Sequence, residues 1–198
     1  MSARTASRDA TRARILDTAW TLVRERGVNA VTLAEIARAA GVSRQLVYVH
    51  FDNRAGLLVA MARRHDARSG FAGRVAAARK LPPLAALERL LRLWLDYLPE
   101  ILPVARALEA AAISGDEGGA AWHDRMADLH EVVRAAVERA GRDGRLAASW
   151  TVQTATDWTW ARINVSTWQQ LIAERGWSPA EYADRTVRSV LADLTARS

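Results

Sequence analysis

The 198-residue sequence contains no cysteine. That absence excludes thiol catalysis, Cys-ligated zinc, iron–sulfur clusters and a disulfide scaffold. No apolar run approaches the roughly 18 residues that a membrane-spanning helix needs. The opening stretch, Met1 to Ser7, lacks the apolar core of a secretory leader, so a cytoplasmic protein with no membrane partner is expected. Alternating, β-branched strand runs are missing. So are a nucleophile–base motif, a P-loop and a Gly-rich dinucleotide fingerprint, so no catalytic residue and no cofactor is assigned. His123 and His130 lie near Asp116 and Asp124, but seven residues of helix separate them by about 10 Å, too far to share one ion. No metal is expected.

Half the residues are hydrophobic and a quarter are charged, the balance of a globular chain. The charge is uneven. Residues 1–80 carry 15 basic against 6 acidic side chains, and residues 81–198 carry 13 against 16. Lys80 is the single lysine, so nearly all positive charge sits on guanidinium groups. A basic segment beside a mildly acidic one points to a module for an anionic partner joined to a module for something else.

The apolar spacing is helical throughout and predicts an all-α protein of about nine helices. A first helix runs from about Arg8 to Arg26, with Ile15, Leu16, Ala19, Trp20, Leu22 and Val23 as its apolar stripe and Gly27 ending it. Thr32 and Glu35 have capping-box spacing at the start of a second helix. Gly41 suits a left-handed C-cap, and Ser43 caps a short third helix over Arg44 to His50. Asp52 or Asn53 caps a fourth, and Gly70 to Pro83 reads as its bent continuation. Beyond that, Pro99 is expected to stop a helix over Leu84 to Leu98, with another over Ile101 to Ile113. Ala120 to Ala140 and Ser149 to Arg175 follow. Ser178-Pro179-Ala180-Glu181 opens the last helix with N-cap Ser, Pro at N1 and Glu at N3.

Between the second and third helices stand only Gly41, Val42 and Ser43. A helix, a tight glycine turn and a short helix make the geometry of a helix-turn-helix, whose second helix enters the DNA major groove. The stretch TLAEIARAAGVSRQLVYVHFDNRAGLL, Thr32 to Leu58, resembles the tetracycline-repressor (TetR) family of bacterial transcriptional regulators. The residues that carry the likeness are Thr32, Ile36, Ala37, Ala40, Gly41, Val42, Ser43, Val47, Tyr48, His50, Phe51, Arg54 and Leu57. Three positions depart from the family's habit: Gln45 where small residues are common, Leu46 where Thr or Ser is, and Arg54 where Lys is.

The resemblance implies a three-helix DNA-binding domain over residues 1–54, then a larger ligand-binding and dimerisation domain over residues 55–198. It implies double-stranded DNA as partner, with Thr32, Ser43, Tyr48, His50 and Arg54 clamping phosphates. Side-chain chemistry adds base contacts. Gln45 pairs with adenine, Leu46 touches a thymine methyl, and Arg44 reaches either guanine or a phosphate. In the family the C-terminal helices enclose a small-molecule pocket and form a dimer interface. Of eight tryptophans only Trp20 lies in the basic segment. Trp94, Tyr97, Trp122, Trp158 and Trp168 are the candidate lining for a hydrophobic or aromatic effector. Ala183, Val187, Val190, Leu191 and Leu194 recur at spacings of three and four and are the candidate homodimer seam. The reading is a ligand-responsive repressor on a palindromic operator. The alternatives are a DNA-binding regulator without an effector and an all-α enzyme with a basic face.

Overall fold

The computed structural model describes residues 3–115 and 119–195, and among these the secondary structure is entirely helical. Residues 116–118, Asp116 among them, and the two chain ends lie outside the described residues. The elements are α1 (Ala3–Arg26), a 3-10 turn (Val28–Ala30), α2 (Leu33–Ala39), α3 (Arg44–Phe51), α4 (Arg54–Ser69) and α5 (Phe71–Ala78). Then come α6 (Pro83–Ser114), α7 (Gly119–Arg142), α8 (Val152–Arg162), α9 (Val165–Gln169), a π-helical turn (Gln170–Glu174) and α10 (Pro179–Thr195).

The chain divides into two compact units. The first is residues 1–69 with 101–123; the second is 70–100 with 124–198. The segment expected to bind DNA, 1–54, lies inside the first unit, which continues through α4. In that unit α1 packs on α2 and α4, and α3 on α2 and α4. Ile15, Ala19, Ile36, Val47, Leu57 and Met61 fill the core, each at most 2% exposed. The second unit buries Leu87, Leu91 and Leu98 of α6 with Val137 of α7 and Ile163, Tyr182 and Val187.

Three boundaries differ from the sequence expectation. Pro99 and Pro103 do not stop α6, which runs for 32 residues. A proline inside a helix removes one N–H donor and crowds the preceding turn. Here the apolar face continues across both prolines through Leu98, Ile101, Val104 and Leu108, all at most 3% exposed, and that packing outweighs the local penalty. The two prolines are also four residues apart, so both interruptions fall on one face of the helix. Second, Gly70 takes a left-handed conformation (φ 69°) and separates α4 from α5 instead of bending one helix. Third, the stretch from Ser149 to Arg175 is interrupted. Thr151 caps α8 through a hydrogen bond from the Thr154 N–H, and Asn164 caps α9 through one from the Ser166 N–H at 2.8 Å.

Candidate nucleic-acid interface

The turn between α2 and α3 is built by backbone chemistry that glycine permits. Gly41 sits at φ 66°. Its N–H donates to the Arg38 carbonyl at 3.2 Å, and the Val42 N–H donates to Ala37 at 2.9 Å, the paired bonds of a Schellman cap. Val42 is half-buried at the corner. Ser43 Oγ accepts from the Leu46 N–H at 3.1 Å and starts α3 at once. Upstream, Thr32 and Glu35 form a complete capping box. Thr32 Oγ1 accepts from the Glu35 N–H (3.2 Å), and the Thr32 N–H donates to the Glu35 carboxylate (2.9 Å). Arg26 donates to the other Glu35 oxygen at 2.7 Å. That guanidinium, followed by the Thr32 bonds, pulls the Glu35 carboxyl from 4.5 down to about 2.

α3 divides cleanly by face. Val47 and Phe51 are buried and lock the helix to its neighbours. Arg44, Gln45, Tyr48 and Val49 are exposed; Leu46 and His50 are half-buried at the margins. Arg44 and Tyr48, four residues apart, form a local pair. The guanidinium lies 5.6 Å from the ring centroid and donates to the phenol oxygen at 3.1 Å. Gln45 and Val49 make a second i, i+4 row beside it. Val49 is 59% exposed, a large apolar side chain facing outward on the short helix, and the sequence reading did not assign it. Its spacing of four from Gln45 is the signal that could have found it. His50 stands 5.9 Å from the Phe51 ring, tilted by 42°. Partial burial, then the cations Arg8 and Arg12, hold its imidazole below the ordinary histidine value and favour the neutral form. Arg12 also sits 5.0 Å over the Phe51 ring.

Arg54 behaves differently from the expectation of a free cation at the start of α4. Its Nη1 donates to the Val31 carbonyl at 2.7 Å and its Nη2 to the Val28 carbonyl. Farther along α4, Arg64 binds Asp17 of α1 in two-pronged fashion (2.7 and 2.8 Å), and Arg68 reaches the same carboxylate at 2.8 Å. Asp17 is held below its usual value, chiefly by Arg64. One helical turn away, Trp20 stacks on His65 with ring centres 4.0 Å apart. Two layers of contact therefore fasten α4 to α1.

Four of the five candidate effector residues are buried. Trp122, which belongs to the first unit, is one of them. In the second unit, Trp94 is buried and donates to the Ile163 carbonyl at 2.9 Å. Tyr97 is buried and stacks on Phe71 at 4.6 Å. Trp168 is buried, and its indole N–H is the buried polar side-chain group without a partner among the described residues. Trp158 lies at the surface, with the Arg162 guanidinium 4.2 Å over its ring and its N–H on Asp193. His130 bonds Asp157 at 2.9 Å, and no three potential metal-ligating side chains converge among the described residues.

Of the candidate dimer residues, Ala183, Val187, Val190 and Leu194 are buried within the single chain, three of them at 0% exposure. Only Leu191 is partly exposed. The apolar stripe of α10 therefore faces its own unit, against α8 and the Ala147–Trp150 connector. There the Ala147 N–H donates to the Leu194 carbonyl (2.8 Å) and the Trp150 indole to that of Asp193 (2.8 Å).

Comparison with known proteins adds the following. Residues 15–61 match the family model for bacterial regulatory proteins of the tetR family. The probable HTH-type transcriptional regulator ArpR of Pseudomonas putida is 38% identical over 82 residues. The HTH-type transcriptional regulator TtgR, also of Pseudomonas putida, is 37% identical over 82 residues. Each alignment covers 41% of this chain and 39% of the relative, so well under half of either relative is matched. Solved structures match over nearly the full length. A transcriptional regulator from Saccharomonospora viridis in complex with choline has a TM-score of 0.80 at 21% identity, covering 96% of this chain and 100% of that one. NalD, the secondary repressor of the MexAB-OprM multidrug efflux pump in Pseudomonas aeruginosa, has a TM-score of 0.66 at 23% identity, covering 96% and 98%. At these identities the structural likeness concerns the fold. No helix among the described residues is long and apolar enough to cross a membrane.

Proposed function

We propose that this chain, whose residues 15–61 match the family model for bacterial regulatory proteins of the tetR family, is a cytoplasmic, effector-responsive repressor that binds a palindromic operator as a homodimer. The coarser statement, a transcriptional regulator with a helix-turn-helix, is supported by the matched segment, residues 15–61, and by the regulators that share it. The observation that carries the reading of this chain is the division of α3. Val47 and Phe51 lock its back, while Arg44, Gln45, Tyr48 and Val49 stand on the outside. A helix held this way presents a fixed pattern of donors and apolar groups to a major groove. Thr32 and Ser43 mark two helix N-termini where phosphates are favoured; the Thr32 hydroxyl itself is held by Glu35, the Ser43 hydroxyl retains its proton to donate, and Tyr48 and His50 flank them.

The division of labour among arginines follows from their partners. Arg44 is exposed and paired with its neighbour Tyr48, so it is available to DNA. The proposed switch is linkage: a ligand that binds a DNA-incompetent conformation more tightly shifts the equilibrium by its differential affinity. α4 starts beside the recognition helix and carries such a shift through its attachments to α1. In the second unit, the unpaired Trp168 N–H suits a ligand with an acceptor, and the buried rings of Trp94 and Tyr97 suit a flat, hydrophobic or cationic one. The choline held by the Saccharomonospora viridis neighbour is a cation of that last kind. With the apolar stripe of α10 turned inward, the seam of a dimer falls to the outer faces of α8 and α10, where Trp158 and Leu191 stand.

The test is selection of duplexes from a random pool by the full chain, with sedimentation of the free protein and of the complex. The reading requires a palindromic consensus whose half-sites are centred about 34–36 Å apart, and two chains per site. Enrichment of no sequence over the pool would refute it.

A further inference from the structure

The geometry points to Arg54 as a positioning residue that fixes the α1–α2 connector, and through it the start of α2, rather than as a phosphate ligand. This rests on the DNA-binding reading above.

The connector runs from Gly27, left-handed at φ 81°, through the turn Val28–Ala30 to Val31 and Thr32. Few backbone bonds hold it internally: the Ala30 N–H reaches Gly27 at 3.3 Å. Its carbonyls are instead taken by guanidinium groups from two directions. Arg54 takes Val28 and Val31, and Arg26 takes Ala30 at 3.1 Å. The same Arg26 nitrogen reaches Glu35, whose second oxygen binds the Thr32 N–H and hydroxyl. Arg54, the connector, the capping box and Arg26 thus form one continuous polar bracket ending on Thr32, the N-cap of α2. Val31 is 1% exposed and anchors the bracket from below.

Two features make the assignment specific to arginine at this position. The guanidinium is a rigid fork whose separate nitrogens reach two carbonyls three residues apart, which a single ammonium point charge does not reproduce. A cation in the first turn of α4 also stands against the positive end of the helix dipole, an unfavourable placement that the two carbonyl partners compensate. Nη1 and Nη2 each commit a donor to the connector, which fixes the direction of the guanidinium fork.

Arg54→Lys and Arg54→Gln in the full chain separate the two roles, at a temperature where circular dichroism shows every variant folded. Two quantities are read: amide hydrogen exchange at Gly27 and Ala30 in the free protein, and the slope of log K against log[salt] for a selected duplex. Positioning predicts exchange faster by about tenfold or more in both variants, as expected for the loss of two hydrogen bonds. It also predicts weaker specific binding in both, with no rescue by Lys and a wild-type salt slope. A phosphate contact predicts the opposite: Lys restores affinity and Gln flattens the slope by about 0.9. That result, unchanged exchange in both variants, or faster exchange with undiminished affinity would each overturn the inference. If the wild-type chain selects no duplex, the DNA-binding reading fails, while the exchange data still decide what Arg54 does to the connector.

Discussion

Val187 offers a sharp test of how α10 is used. The side chain is 0% exposed within the single chain, between Tyr182 at 1% and Val190 and Leu194 at 0%. Val187→Ala removes two buried methyl-sized groups, worth about 1.6 kcal/mol at roughly 0.8 kcal/mol each. The cavity left behind raises the cost to about 2–3 kcal/mol. For a chain of this size that lowers the melting temperature by about 5–10 °C. Ala192 on the same helix is exposed, and Ala192→Glu is expected to stay within about 0.5 kcal/mol of wild type. Val187→Glu buries a carboxylate without a partner and is expected to unfold the second unit outright. The assay is urea denaturation followed by circular dichroism, with sedimentation velocity at several protein concentrations to read the mass. The reasoning fails if Val187→Glu melts like wild type yet sediments at a lower mass, because the residue would then lie between chains and not inside one.

Three further outcomes follow from local geometry. Glu35 is depressed from 4.5 to about 2, so its ionised bonds stabilise the fold above about pH 4.5 and are lost as pH falls toward 2. Acid unfolding of Glu35→Gln should lack that component, and identical acid titrations of the two proteins would refute the assignment. Gly41→Ala is expected to cost about 1–2 kcal/mol from the left-handed backbone alone, since a Cβ there meets nothing within 4 Å; Gly41→Asn should recover part of the loss in a thermal melt. Tyr48→Phe keeps the ring under Arg44 but removes the hydroxyl, so operator affinity should fall by about 0.5–1.5 kcal/mol, with the salt slope unchanged because a neutral group releases no counterion.

The first unit was legible in the sequence because its signals are local. Thr32 with Glu35, Gly41 and Ser43 each state a cap or a turn within four residues, and the structure forms all of them. Helix breaks elsewhere depended on competition that spacing does not express. Pro99 argued for a stop, and only the burial of Leu98, Ile101, Val104 and Leu108 on one face shows why the helix continues. Asn164, a good N-cap, was hidden inside a tryptophan-rich stretch that otherwise reads as unbroken helix. At the site itself, the family resemblance marked Arg54 as a cation for phosphate. Its engagement with Val28 and Val31 depends on contacts across more than 20 residues of sequence. The same limit applies to α10: an apolar stripe at spacings of three and four announces burial, not whether the burying surface belongs to the same chain.

Gln45 is the place to test the central claim, that the outer face of α3 reads DNA. The measurement is a parallel selection from random duplexes with wild type and Gln45→Ala, each followed by affinity for the selected and for an unrelated duplex. A two-pronged amide on an exposed recognition helix contributes about 1–3 kcal/mol of discrimination at one base pair and little to non-specific affinity. The account predicts that the variant loses preference at one symmetric position of each half-site while its binding to unrelated DNA is unchanged. An identical consensus from both proteins would contradict it.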